Sequence, residues 1–308
     1  MKKMLKVIGM ILLVIIALVV LLFVKAALTP SAPDNYTETV KTGGDIESTY
    51  LKNGQYSVSY FEKETDEDFK KFEVWYPEEM KNENKTYPLI VVLNGTGVKA
   101  SRYKSQFKHF ASWGFIVIGT EEEESWDAVA ADQSLSFMLE ENENPEGNFY
   151  HKIDTENIAA IGHSQGGAGV FNAVTAFENS SYYKTAVPLS PTNEKLSADL
   201  GWHYDLSKLN IPVLLLAGTV GDFEMQTVIP EEDMKRMYDR IPSQKVMARK
   251  LECEHGHMLY SADGYVTAWL MWHLRNDQKA ASAFTGDAPE LLSNPLYRAQ
   301  KIDLDPEN

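Results

Sequence analysis

The stretch Asn157–Gly167, NIAAIGHSQGG, decides the fold. Its apolar residues 158–161 are typical of a buried strand, and a glycine-rich run that can open a helix follows directly. Between them, Gly162-His163-Ser164-Gln165-Gly166 fits the pattern Gly-x-Ser-x-Gly, in which a strained turn lifts the serine hydroxyl above a sheet. The glycines permit the close strand–helix approach that such a turn requires. This context predicts that Ser164 is a nucleophile.

The rest of the chain alternates between strand and helix patterns. Continuous apolar runs, such as PLIVVL at 88–93 and PVLLLA at 212–217, are typical of strands covered on both faces. We predict two antiparallel strands at 55–61 and 71–76, and six further strands at 88–93, 115–119, 158–161, 185–189, 212–217 and 245–251. Helical stretches between these strands indicate right-handed crossovers and a mostly parallel sheet.

NIAAIGHSQGG resembles the nucleophile elbow of bacterial α/β-hydrolases, and the resemblance continues over roughly residues 55–275. Within that superfamily the chain most resembles cutinase-like and dienelactone-hydrolase-like esterases, polyester hydrolases included. The resemblance implies an α/β-hydrolase fold, with a mostly parallel sheet of the eight-stranded type flanked by helices. It also implies hydrolysis of small or polymeric carboxylic esters through an acyl-enzyme on Ser164. An acyltransferase or peptidase with the same residues, and a non-catalytic binding module, are the alternatives.

A serine hydroxyl needs a neutral imidazole to accept its proton and a carboxylate to orient that imidazole. In this fold the chain order is serine, acid, histidine. Asp222 follows the predicted strand at 212–217 and resembles the acid of the family's Gly-x-x-x-Asp turn, so it is the predicted acid, with Glu224 as the alternative. His255, which follows Glu254, is the predicted base, with His257 as the alternative.

No metal or other cofactor is expected. A His-x-His pair at 255 and 257 could bind zinc, but no third group of ligands accompanies it. We interpret Cys253 as a packing residue and His163, at a variable position of the elbow, as structural.

The oxyanion of an acyl-transfer intermediate needs two preorganised donors. The backbone N–H of Gln165, directly after the nucleophile, is one candidate. The other should follow the strand at 88–93, where we assign it to Thr96, with Gly97 as the alternative. Trp126, Trp202 and Tyr204 are candidates for substrate binding.

The formal net charge of −15 argues against nucleic acid as a partner, because such a surface repels phosphate backbones. The basic residues of the first thirty positions all lie around the apolar run Val7–Val24. With 18 residues, this run is near the lower limit for a membrane-spanning helix. We predict an uncleaved signal anchor, with a cleaved signal peptide as the alternative.

The heavier basic flank before the run predicts that the body of the protein lies outside the cytoplasm, tethered to the membrane. In the alternative case it is secreted. The predicted organisation is a cytoplasmic stub and anchor at 1–28, a linker or lead-in at 29–54 and an α/β-hydrolase domain at 55–308.

Overall fold

A nine-stranded sheet organises the computed structural model, which describes residues 31–305. The strand order is β1-β2-β4-β3-β5-β6-β7-β8-β9, and β3 to β8 are mutually parallel. β1, β2 and β9 run antiparallel to their neighbours. The strands are β1 (Val58–Glu64), β2 (Lys71–Pro77), β3 (Tyr87–Leu93), β4 (Ile116–Thr120), β5 (Ile153–His163), β6 (Tyr183–Leu189), β7 (Val213–Ala217), β8 (Lys245–Lys250) and β9 (Tyr297–Asp303).

The predicted α/β architecture with a mostly parallel sheet is confirmed, but the sheet has one strand more than the eight expected. The additional strand, β9, pairs with β8 at the edge of the sheet. Its sequence YRAQKID has no apolar alternation, and most of its residues are partly exposed. An edge strand of this kind forms because the neighbouring strand has unpaired backbone N–H and C=O groups. The sequence of the edge strand itself therefore gives little indication of a strand.

Helices cover both faces of the sheet. The longer ones are α3 (Lys104–Ser112), α4 (Val129–Glu143), α5 (Gln165–Ala173), α7 (Glu231–Arg240) and α9 (Asp263–Arg275). The shorter ones are α1 (Tyr36–Thr39), α2 (Asp45–Leu51), α6 (Glu194–Leu200), α8 (Met258–Ser261), α10 (Gln278–Ala281) and α11 (Glu290–Ser293). One apolar core joins the sheet to α1, α2, α3 and α9, and a second core on the opposite face joins it to α4, α5 and α7.

The segment predicted as a linker or lead-in departs from that expectation, because residues 31–54 are packed against the hydrolase body. Glu47, buried in α2, forms an ion pair with Lys250 at 2.5 Å and accepts a hydrogen bond from Tyr297 Oη at 2.7 Å. The Glu290 carboxylate accepts hydrogen bonds from the first backbone N–H groups of α2. These polar contacts across the chain hold a segment whose own sequence lacks a sustained apolar period.

The predicted anchor Val7–Val24 lies outside the described residues. Within residues 31–305, no helix combines the length and apolar character that a membrane span requires.

Asp263, at the start of α9, is fully buried and accepts a hydrogen bond from Tyr36 Oη at 2.7 Å. Burial raises its pKa to about 8, against the opposing effect of the hydrogen bonds from Tyr36 and Gln106. In the unfolded chain an aspartate titrates near pH 4. Between these two values the folded state binds more protons than the unfolded state, so stability falls as the pH rises towards 8.

We therefore expect Asp263→Asn to flatten the pH dependence of stability. Urea unfolding at pH 5 and pH 8 should show wild type losing stability between them, by at most about 1.4 kcal/mol per pH unit from this group, while the variant loses less. Tyr36→Phe is the matched control, since it removes a hydrogen bond but leaves the buried carboxyl group. Equal slopes in wild type and Asp263→Asn would contradict the assignment.

Candidate active site

Ser164 lies on the turn between β5 and α5, where its backbone adopts φ 59° and ψ −120°. A non-glycine residue in this region is strained, so the surrounding contacts must hold it there. The Ser164 N–H donates to Leu189 O at 2.9 Å. A side chain on Gly166 would collide with the carbonyl oxygens of Leu93 and Asn94. The turn therefore lies directly against the carboxyl end of β3, as the sequence pattern predicts.

His255 connects the serine to a carboxylate. Its Nε2 lies 2.9 Å from Ser164 Oγ, and its Nδ1 lies 2.6 Å from Glu224 Oε2. With Glu224 ionised, Nδ1 of His255 carries the ring proton and donates a hydrogen bond to the carboxylate. Nε2 is then unprotonated and can accept a hydrogen bond from the serine hydroxyl. His257, the alternative base, is exposed and packs near Tyr260.

The choice of Asp222 as the acid is corrected by this geometry, because Glu224 contacts His255. Asp222 is exposed, and its carboxylate accepts a hydrogen bond from Gln226 at 2.6 Å. The segment Phe223–Val228 forms a π-helix, a wider turn that directs Glu224 inward and leaves Asp222 at the surface. The longer glutamate side chain thus takes the place expected for an aspartate two residues earlier.

Glu224 is fully buried, yet its pKa lies below its usual range. Burial acts to raise that pKa, but hydrogen bonding and charge interaction with His255 outweigh it, with further help from two other donors. Ser190 Oγ donates to Glu224 Oε1 at 2.7 Å, and the Gly218 N–H donates to the same oxygen at 2.6 Å. These donors keep the carboxylate charged in a buried position.

His163, interpreted as a structural residue, contacts the backbone of His255. Its Nε2 donates to the backbone oxygen of His255 at 2.7 Å, and the two rings lie 4.7 Å apart. Burial, with the charge of His255, lowers the pKa of His163 to about 3, so this ring stays neutral. It fixes the backbone that carries His255, a role that its position within the elbow did not reveal.

Most backbone N–H groups in the loop that carries Thr96 already donate a hydrogen bond within the protein. Gly97, the alternative to Thr96, donates its N–H to Glu123 O at 2.9 Å. The N–H groups of Asn94, Gly95 and Val98 also have acceptors. Within the described residues, the Thr96 N–H has no acceptor, and Thr96 is exposed. Thr96 thus stays the predicted donor of its loop, near the start of α5 where Gln165 follows the serine.

The three predicted substrate-binding aromatics lie in different surroundings. Tyr204 donates to Thr192 O at 2.8 Å and packs on Phe171, so it fills the edge of the core. Trp202 lines a separate surface cavity of about 380 Å³ together with Tyr204. Trp126 holds its loop through its backbone oxygen, which accepts from Asn172. Within residues 31–305, none of these three side chains contacts Ser164 or His255 through a hydrogen bond or ring contact.

Phe223 is an aromatic residue that adjoins His255. Its ring meets the His255 ring edge-on, with the centroids 5.0 Å apart, and 59% of the residue is exposed. The sequence offered no signal for it beyond its position next to the expected acid.

An acidic cavity of about 620 Å³ lies beside the loop that carries Thr96. Its lining includes Glu67, Asp68, Asp127 and the run Glu121–Glu124. Burial, and then the charge of Asp127, raises the pKa of Glu122 to about 7. In the described part of the chain, no group of three or more histidine, cysteine, aspartate or glutamate side chains is arranged to bind a metal ion.

The sheet order, the strained turn after β5 and the serine–histidine–carboxylate arrangement define the α/β-hydrolase class. More narrowly, residues 35–297 match the PET hydrolase-like family, and the chain belongs to that family.

The chain is also similar to cutinases of Thermobifida. It is 26% identical to cutinase est1 of Thermobifida alba over 178 residues, which cover 55% of this chain and 52% of the cutinase. It is 26% identical to a cutinase of Thermobifida fusca (strain YX) over 179 residues, covering 55% and 51%. The chain therefore spans about half the length of the curated relatives it matches.

The position of the acid can be tested by paired substitutions. We expect Glu224→Gln to lower kcat for a p-nitrophenyl ester by about 10³- to 10⁴-fold, since the imidazole loses its orienting carboxylate. Asp222→Asn should stay within about twofold of wild type, because surface substitutions have small effects. Initial rates on variants with unchanged thermal melts provide the measurement. A comparable loss in Asp222→Asn would restore the aspartate as the acid.

Proposed function

We propose that the protein is a serine hydrolase that cleaves carboxylic esters. The observation that carries this proposal is the continuous hydrogen-bonded chain from Ser164 Oγ through His255 to Glu224, with distances of 2.9 and 2.6 Å. This arrangement favours proton transfer from Ser164 to His255, because the buried and ionised Glu224 carboxylate stabilises the positive charge that His255 gains.

The proposed reaction has two halves. Ser164 Oγ attacks the ester carbonyl carbon while its proton passes to His255 Nε2. The resulting oxyanion accepts hydrogen bonds from the backbone N–H groups of Gln165 and Thr96. The intermediate then collapses, the bond to the alcohol breaks, and His255 returns its proton to the leaving oxygen. A water molecule, deprotonated by the same imidazole, hydrolyses the acyl-enzyme and regenerates Ser164, while Glu224 stabilises the imidazolium in each half.

The proposed substrates are esters with an apolar portion, polymeric esters included. Phe223 presents an exposed aromatic face beside His255, where an apolar acyl or alcohol group can pack. The matched relatives, named cutinases, support an ester of this kind.

Two measurements test this function. A fluorophosphonate probe should label wild type and leave Ser164→Ala unlabelled, because the probe needs an activated serine. Wild type should then release acid from p-nitrophenyl esters and from a polyester film, while matched amides and acyl acceptors give no product. A wild type that is neither labelled nor active would favour a binding module, and preferential transfer to an acceptor would favour an acyltransferase.

We also propose that Val7–Val24 anchors the protein in a membrane with the hydrolase domain outside the cytoplasm. Six residues, 25–30, separate this run from Ser31, and they can span at most about 20 Å. The Ser31 N–H donates to Arg102 O, in the connection between the carboxyl end of β3 and α3. Ser164 follows the carboxyl end of β5, so both residues follow the carboxyl ends of parallel strands. In this arrangement the active site lies on the part of the domain closest to the anchor.

We expect the full chain to fractionate with membranes and to be digested by protease added to intact cells. Replacing the run with a cleavable signal peptide should release an active enzyme into the medium, which serves as the control. A wild-type chain found in the medium without residues 1–30 would instead support the secreted alternative.

A further inference from the structure

Arg249, on β8, is a fully buried cation that holds the backbone on both sides of Glu224. Its Nη1 donates to Gly218 O at 2.6 Å, and its Nη2 donates to Ile229 O. Residues 218 and 229 delimit the segment that contains the π-helix, so a single guanidinium fixes both ends of the segment that presents the acid. Nη1 also lies 3.2 Å from the sulfur of Met225, inside that segment.

Gly218 links Arg249 directly to the acid. Its carbonyl oxygen accepts from Arg249, while its N–H donates to Glu224 Oε1 at 2.6 Å. Any movement of the guanidinium would therefore move the donor that Glu224 depends on.

The charge of Arg249 lacks a direct partner. No carboxylate of the described residues lies within ion-pair distance of its guanidinium, and its Nε has no hydrogen-bond acceptor there. Burial lowers its pKa, and the negative charge of Glu224 opposes that effect more than any other group does. A buried cation without an ion pair is costly, and Glu224 is the group whose charge offsets that cost most.

We propose that Arg249 is a positioning residue for the reaction, which holds the Glu224 segment in place and adds a positive charge to the surroundings of the Glu224–His255 pair. This inference rests on the proposed function, and it concerns how the acid is maintained.

The other titratable groups around the Glu224–His255 pair do not supply this charge. His163, from the end of β5, stays neutral. Burial raises the pKa of the Cys253 thiol to about 11, so this group is also neutral. Beyond Arg249, Arg298 is paired with Glu231 at 2.8 Å. Among these groups of the described chain, Arg249 is thus the permanent cation without an ion pair.

Loss of this charge should favour protonation of the Glu224–His255 pair, whichever of the two groups takes the proton. The active enzyme requires an ionised Glu224 and a neutral His255, that is, the pair without the additional proton. The acidic limb of kcat/KM against pH should therefore move to higher pH when Arg249 is neutralised, and it should stay in place when a positive charge is kept.

The test compares Arg249→Met with Arg249→Lys on a p-nitrophenyl ester. We expect Arg249→Met to lower kcat at least about tenfold with KM changed less than about threefold, and to raise the midpoint of the acidic limb by about one pH unit. Arg249→Lys should keep the wild-type midpoint, although a single ammonium cannot reproduce both hydrogen bonds. The control is Arg240→Met, which removes an exposed cation paired with Glu194 and should leave the midpoint unchanged.

An unchanged midpoint in a folded Arg249→Met enzyme would overturn the proposal, as would equal kinetic defects in the Met and Lys variants. If Arg249→Met does not fold, the double variant Glu224→Gln with Arg249→Met removes both buried charges. Its kcat is then compared with that of Glu224→Gln alone. The proposal expects the second substitution to add little to the loss caused by Glu224→Gln, whereas a purely structural role would multiply the two losses.

Absence of ester turnover in wild type would contradict the proposed function and not the role of Arg249. The pH midpoint of fluorophosphonate labelling at Ser164 would then replace the kinetic midpoint in the same set of variants. No labelling of wild type at any pH would leave Ser164 without an activated partner and would overturn both proposals.

Discussion

The strained backbone at Ser164 is the constraint on which the active-site edge of the sheet depends. A residue with a side chain at φ 59° and ψ −120° costs on the order of 1–3 kcal/mol and persists only where its neighbours hold it. The hydrogen bond from Ser164 N to Leu189 O and the contact of Gly166 with the end of β3 do so. That contact also brings the start of α5 to the loop that carries Thr96. The turn that exposes Ser164 therefore also sets the position of the predicted oxyanion donors.

The acid satisfies a different requirement, namely a negative charge maintained out of water. Glu224 meets it with hydrogen bonds from Ser190, Gly218 and His255. The π-helix Phe223–Val228 makes this possible, because its wider turn points Glu224 inward while Phe223, Gln226 and Thr227 face solvent. Such π-turns are rare and occur often at functional sites. The burial that threatens the charge also excludes water from the hydrogen bond to His255, which strengthens that bond.

The sequence predicted those parts of the site that depend on local pattern. Ser164 was predictable because its turn needs small residues at fixed positions, and His255 because it follows the last parallel strand. Glu224 was not, since the choice between it and Asp222 depends on a π-helix that has no recognisable sequence signal. β9 and the packing of residues 31–54 also have no local sequence signal. They depend on contacts between distant parts of the chain, such as the pairing of β9 with β8 and the ion pair between Glu47 and Lys250. Trp126, Trp202 and Tyr204 stay predictions as substrate-binding residues, because aromatic composition does not tell a cavity wall from a core edge.

The N-terminal segment also constrains the histidine. His255 lies on a loop between β8 and α9, and residues 31–54 fasten both ends of that loop. Lys250, before it, is paired with Glu47, and Asp263, after it, is bonded to Tyr36. His163 holds the middle of the loop through the His255 carbonyl oxygen. The loop that carries His255 is thus held at three points, two of them by contacts with residues 31–54. A serine–histidine pair needs such rigidity, because a displacement of about 1 Å is enough to lose a large part of the rate.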